Sequence, residues 1–448
     1  MDSAPPDASV SDAAADAPSQ DASDDAGNVP PTGRLAWEDC EGGGRELEAG
    51  PDDYRDVLST LAPGDTLKLR PGNYLRGLPM RTSGEEGRCI VVEAQDPANR
   101  PRFMGSSDFN VLAIHGASWL KIRNLDVDID GRAGFGVASQ GGASQPTHHV
   151  VIEGLKISGF GSEQQVVGIS TKSPATDWVI RGNHIEGPGT GLYLGNSNGR
   201  EPFVRGLIER NVVLDAKGYC MQIKHQIERL EEQPEMAETV IRHNVFTKAS
   251  GSSTGDLARP NLLLGHFPTS GRGQDDRYVV YRNFIYENAT ENLLQAEGNL
   301  LIFNNVLVNR SGGAISIRPH NDVPREVELA FNTIVASARG VSITGGHASF
   351  RQRAYLNAVF AGQPVRADDA QLNLEGSLAD AETHLAAPGL APGAGLDLHP
   401  SSLGAFSFPA AMPLARPEAA WDFDGVPRAV PVAGAYASTS GPALTLTP

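Results

Sequence analysis

The chain has 448 residues, 37 Lys+Arg against 54 Asp+Glu, and a formal net charge of -17. Its 40% apolar and 20% charged residues are a globular balance. No apolar run is long enough to span a bilayer, and the acidity excludes nucleic acid, whose phosphates need a basic surface.

Residues 1–33 contain seven Asp, no Lys or Arg, and otherwise mostly Ala, Pro and Ser. Such a segment cannot bury enough apolar surface to offset its chain entropy, so it is expected to be a disordered spacer. It lacks the basic start and apolar stretch of a signal peptide. Spacers of this composition often follow the processed or lipid-anchored N-terminus of bacterial surface proteins. Cys40 and Cys89 flank the first structured segment, where a bridge would pin the N-terminal end of the fold; of the three cysteines, one thiol is left over however they pair.

From residue 120 to 360 a short line recurs: apolar–x–apolar–x–Asn–apolar. Examples are LKIRNLDVDI (120–129), WVIRGNHI (178–185), TVIRHNVF (239–246) and LLIFNNVLV (300–308). Aligning the lines stacks Asn124, Asn183, Asn211, Asn244, Asn283, Asn305, Asn332 and Asn357, with Gly154 filling one gap, at steps of 22 to 39 residues. A period in this range means a solenoid, propeller or array. Strand-like alternation without helical periodicity removes the helical repeats, and the shortest step is too small for a four-stranded blade. The fold class is therefore all-β, a single-stranded right-handed parallel β-helix of about ten rungs with an Asn ladder at one turn. The asparagines are expected to take left-handed backbone geometry there.

The opening YRDVLSTLAPGDTLKLRPGNYLRGLPM (54–80) and the ending WDFDGVPRAVPVAGAY (421–436) resemble the first turns and closing motif of the secreted bacterial pectate-lyase-like β-helix proteins. That resemblance implies a spacer at 1–33, a capped solenoid at 34–365 and a loop-rich segment at 366–448 that packs on it. It also implies an extracellular or cell-surface setting, with lipid anchoring outside the chain shown. The fold hosts several chemistries, so function must be read from the outer strand surface.

A second strand row follows each Asn line. It includes VGISTKS (167–173), TGLYLGNS (190–197), GYCMQIKH (218–225), ENLLQAEG (291–298) and GAISIRPH (313–320). Alternation turns Ile169, Leu192, Leu194, Met221, Ile223, Ile315, Ile317, Val341 and Ile343 inward. It turns Ser170, Lys172, Tyr193, Gln222, Lys224, Gln295, Glu297, Ser316, Arg318 and His320 outward as one ribbon. Cations gathered on an acidic protein suggest a groove for an acidic polysaccharide, with His225 and Arg229 from the dense patch KHQIER joining the substrate-binding set. The partner is thus a polysaccharide, and the protein is expected to be a monomer.

The IKH line resembles the Lys-bearing strand of the chondroitinase B and alginate lyase family, whose members break uronate chains by β-elimination. The resemblance implies Lys224 as the base and, more weakly, His266. Gly265 stands where that family has Arg, and AKGY replaces its acidic calcium-binding turn, so Arg242 is a candidate replacement. A lysine near pKa 10.4 needs desolvation or neighbouring cations to act as a base. The rival is a surface solenoid that binds glycans without cleaving them. A hydrolase is disfavoured, because the ribbon offers only Glu297 where a glycosidase needs two carboxylates. Finally, LDVDIDGR (125–132) sets Asp126, Asp128 and Asp130 at steps of two; calcium is the cofactor such oxygen ligands would take, although the row does not complete an EF-hand loop.

Overall fold

The computed structural model describes residues 40–408, 414 and 416–447; the expected spacer at 1–33 lies outside the described residues. Short runs of Val, Ile and Leu broken by Gly, Asn and Pro cannot form long strands, and each rung instead takes three short ones that stack in parallel on the next rung. The first face is a 14-stranded sheet running from Glu46–Ala49 to Asp369–Gln371. The other two faces belong to one 21-stranded sheet, joined where Thr333–Ile343 pairs with both Val306–Asn309 and Ile315–Ile317. The chain is a right-handed parallel β-helix. Among the described residues no helix is long and apolar enough to cross a membrane.

Like stacks on like inside. Ile122, Ile152, Ile180, Ile208, Ile241, Val280 and Ile302 are register partners on successive rungs, and all are fully buried. The nine residues that alternation turned inward on the third face are buried too.

The turn between the first and second faces is held by asparagine amides. Asn183 Nδ2 donates to Asn211 Oδ1 at 2.9 Å, and the same bond repeats through Asn244, Asn283, Asn305, Asn332 and Asn357 to Asn373. Each side chain from Asn211 to Asn373 also accepts from the backbone N–H of the preceding ladder Asn. These buried amides are thereby satisfied in a single register.

Two sequence expectations are corrected here. The left-handed residue is the one before each ladder Asn: Gly182, Arg210, His243, Arg282, Asn304, Phe331, Leu356 and Leu372 have φ between 52° and 63°. Strand register pairs Glu153 with both Arg123 and Arg181, which places Asn124 and Gly154 opposite Gly182, so Asn124 lies outside the ladder. Its own φ of 59° marks it as the turn residue, and Leu125 and Leu155 occupy the ladder position there. The ladder gains Asn373 at its other end.

At the N-terminal end a Cys40–Cys89 disulfide (Cα–Cα 5.7 Å) ties the chain to the first rungs, and the helix Tyr54–Leu58 covers the open core with Tyr54 and Leu58. Cys220 is a buried free thiol whose pKa burial pushes up to about 12. The parallel ladders run on past residue 365 to Gly376. Residues beyond 380 then fold back over the second face and the Asn corner. Phe406, Leu398 and Tyr436 pack with Val335 and Phe360, Ala435 N donates to Thr333 Oγ1 at 2.8 Å, and Arg428 donates to Asn304 Oδ1 at 2.7 Å. This cover leaves the outer surface of the third face to short loops.

Asn244→Ala leaves the Asn211 amide and the Asn283 carbonyl without their buried partners and should destabilise the fold by about 2–3 kcal/mol. Asn124→Gly should cost less than about 0.5 kcal/mol, since glycine accepts the left-handed turn. Denaturant midpoints of the two variants check this.

Candidate functional site

On the third face the strands Val167–Thr171, Thr190–Leu194, Met221–Ile223, Leu294–Ala296 and Ile315–Ile317 carry the expected ribbon, except that Ser170 and Gln222 in its first row are buried and not open to solvent. Ser170 is paired with Tyr193, Tyr193 with Gln222, Gln222 with Leu263, Leu263 with Gln295, and Gln295 with Ser316. The next outward position along each strand forms a second row: Lys172, Gly195, Lys224, Gly265, Glu297 and Arg318. Backbone bonds keep it in step, with Lys224 N donating to Leu194 O at 2.8 Å and Arg318 N to Ala296 O at 3.3 Å.

Lys172 and Lys224 lie two rungs apart, about 10 Å, and both reach over the ring of the Tyr193 rung between them. Their ammonium groups are 3.6 Å and 5.8 Å from the Tyr193 ring centroid. Gly195 makes this convergence possible: a Cβ there would sit 3.4 Å from the Lys224 Cβ, and its φ of 83° already favours glycine. Among the described residues neither lysine has a carboxylate within 4.0 Å.

Burial lowers the pKa of both amines, and the Lys224 charge lowers that of Lys172 further against the opposing pull of Glu201. Burial raises the Tyr193 pKa, with Ser197 working the other way, so the phenol keeps its proton. His225, beside Lys224 and against Gly199, is lowered by burial and by Lys224, with Glu297 opposing. Farther along, Gln295, Arg318 and His320 border a cleft of about 330 Å³ together with Tyr219 and Leu263.

Other expected residues are placed elsewhere. Arg242 is on the first face, where its Nε donates to Glu209 at 2.7 Å and its Nη1 to the Tyr281 hydroxyl at 3.0 Å. His266 is buried, its ring nitrogens 2.5 Å and 3.1 Å from the carbonyl oxygens of Phe267 and Val323 beneath the 318–323 loop. Arg229 has a fully buried side chain that grips Asp276. The Glu297 carboxylate accepts from the backbone N–H groups of His266, His320, Asn321 and Asp322, which makes it the anchor of that loop. Asp126, Asp128 and Asp130 face Arg100, Arg102 and Arg132 in turn, and among the described residues no three His, Cys, Asp or Glu side chains gather as a metal site.

The second row also runs toward the N-terminal end, past the ribbon expected from the sequence. Met80, Ile114 and Ser139 lie in register with Thr171, so Arg81, His115 and Gln140 precede Lys172 in the same line. The pattern was present in PMR, AIH and ASQ, each an outward polar residue after an apolar strand. The rungs of Arg81 and His115 precede the first Asn line, and the rung of Gln140 carries Asn124 at the turn and not in the ladder.

No family model matches the chain, and no curated protein matches it in sequence. Among solved structures it is similar to AlyGC, a PL6-family alginate lyase, at 12% identity and TM-score 0.53, over 89% of this chain and 60% of that one. It is also similar to the GH136 lacto-N-biosidase of Eubacterium ramulus, at 12% identity and TM-score 0.50, over 74% of this chain and 68% of that one. Pectate lyase Pel9A aligns at 12% identity and TM-score 0.46, over 91% of this chain and 96% of its own. The fold is the pectate-lyase-like β-helix. The names of these neighbours differ in activity, so what they share with this chain is architecture.

If the two lysines sense one another across Tyr193, removing one should release the other. In Lys224→Met the titration midpoint of Lys172, followed by NMR of its labelled amine, should rise toward the ordinary 10.5. An unchanged midpoint would separate the two groups.

Proposed function

We propose that the third face is a binding groove for an acidic, uronate-containing polysaccharide, and that Lys224 acts there as the base of a β-elimination. The observation that supports this most is the convergence of Lys172 and Lys224 on Tyr193, without carboxylate partners, on a protein of charge -17. Cations left unpaired in a partly dry groove are costly unless an anion supplies the missing charge.

The chemistry follows from the three side chains. A lysine with a lowered pKa holds a larger neutral fraction near neutral pH and can take the proton from the carbon next to the uronate carboxylate. The C–H electron pair becomes the new C=C bond as the glycosidic C–O bond breaks. The leaving oxygen takes the Tyr193 hydroxyl proton, and transfer from the Lys224 ammonium to the phenolate restores both groups. Lys172 holds the carboxylate and stabilises the charge that develops on it. Arg318, His320, His225 and Gln295 line the path of the chain on either side, while the buried Gln222 lies in the floor under it.

The reading includes an extracellular or surface setting, which suits the Cys40–Cys89 disulfide, and a monomer carrying residues 1–33 as a spacer. Binding without cleavage is the second reading. It is favoured by Gly265 at the position of the family arginine, by the sequestered His266, and by the lack of an acidic cluster beside Lys224 among the described residues.

Incubation with alginate, pectate and chondroitin, followed by the ultraviolet absorbance of the unsaturated product, tests the proposal. Turnover should fall at least about a hundred-fold in Lys224→Ala, the scale of a general base. In Lys172→Met the larger change should be in KM. The rate should rise with pH as Lys224 loses its proton, along a limb centred below 10.5. Full turnover in Lys224→Ala would contradict the catalytic role; binding without any product from the wild type would leave the second reading.

A further inference from the structure

The row that carries Lys172 and Lys224 continues into a cavity of about 640 Å³ at the N-terminal end of the third face. Arg81 stands five rungs from Lys224 in the same register line, about 24 Å away. Arg55 and Arg76 join it at the cavity wall, and the Arg55 Nη1 donates to the Arg76 carbonyl at 2.6 Å, which fixes one guanidinium over the rim. Among the described residues none of these three arginines has a carboxylate within 4.0 Å; Asp108 is the one acid lining the cavity.

The remaining walls suit a sugar ring. Leu75 is 70% exposed and Phe109 36% exposed, an apolar pair at the edge of a polar cleft. Gly77 provides the seat for the Phe109 ring, since a Cβ there would come within 2.9 Å of it. The floor is a preset amide chain: Asn110 Oδ1 accepts from Phe135 N at 2.9 Å, Asn110 Nδ2 donates to Gln140 Oε1, and Gln140 Nε2 lies 3.3 Å from His115 Nε2. Burial and the Arg81 charge hold the His115 pKa below its ordinary value, so the ring is neutral and able to hydrogen-bond hydroxyl groups. Between this cleft and Lys172 the outward positions are Ala113, Ala138 and Gln140, which leave an uncharged floor.

We infer that this cleft is a second anchoring site for the same acidic chain, so that the protein grips a polyanion at Arg76 and Arg81 and again at Lys172 and Lys224. The inference rests on the proposed groove and adds a length requirement. A short oligosaccharide fills one site, and only a chain several sugars long bridges the two, its second contact being intramolecular once the first is made. The N-terminal rungs then act as a ruler for chain length.

Affinities of acidic oligosaccharides from the disaccharide to the polymer, with the polymer titrated at several salt concentrations, test this in wild type, Arg76→Ala/Arg81→Ala and Lys224→Ala. The double variant should hold the long chains about ten- to a hundred-fold more weakly, with a shallower salt dependence, and should bind the shortest ones that occupy the Lys224 site as before. Both arginines are exposed, so an unchanged melting temperature is the expected control. Unaltered affinity for long chains, or equal losses for short and long, would overturn the second anchor. If Lys224→Ala binds every length normally while the arginine variant loses the long chains, the Lys224 groove fails and the N-terminal site stands.

Discussion

The asparagine ladder is the constraint on which the rest depends. Seven side-chain amides from Asn183 to Asn357 lie in a turn closed to water, with the half-buried Asn373 ending the row, and each finds its partners only when the next rung is in one register. A one-residue slip would strand several buried donors and acceptors and would turn every strand inside out. The same bonds hold left-handed backbone at residues such as Phe331 and Leu356, which would not adopt it unaided.

Register at that corner is transmitted around each rung to the third face. Because the strand period is two, fixing Asn211, Asn244 and Asn283 fixes which side of the following strand meets solvent. Lys172, Lys224 and Arg318 fall on one line for this reason, although the sequence separates Lys172 from Lys224 by 52 residues. The C-terminal segment completes the arrangement by covering the second face and the corner, with its Tyr436 buried and its half-buried Arg428 donating to Asn304. The polar face that remains is narrow, cationic and backed by a rigid stack.

Much of this was legible in the sequence, and the parts that were not share a cause. Alternation and period are local properties, and they sufficed for the β-helix, the inward aliphatic columns and the outward line of Lys172, Tyr193, Gln222 and Lys224. Asn124 was misaligned by one residue because the line RNLDV imitates the ladder motif, whereas the strand pairing of Glu153 shows it to be the turn residue. Arg229, His266 and Glu297 were misread as available groups because their partners come from distant loops: Asp276, Val323 and the 320–322 backbone. Arg242, a candidate for the missing arginine by sequence, lies on the first face by rung geometry. Arg81 and His115 are hidden for the opposite reason, since their rungs obey the strand pattern without the asparagine that aligns the others, while Gln140 follows a rung whose Asn124 imitates the ladder.

A crystal structure of the protein soaked with an acidic oligosaccharide would decide whether one cationic line on the third face receives an acidic polysaccharide along the solenoid axis. The expected result is a chain running across successive rungs, with carboxylates against Lys172 and Lys224 and a sugar ring beside Tyr193. A ligand seated on another face, or one crossing the third face without a carboxylate at either lysine, would contradict it.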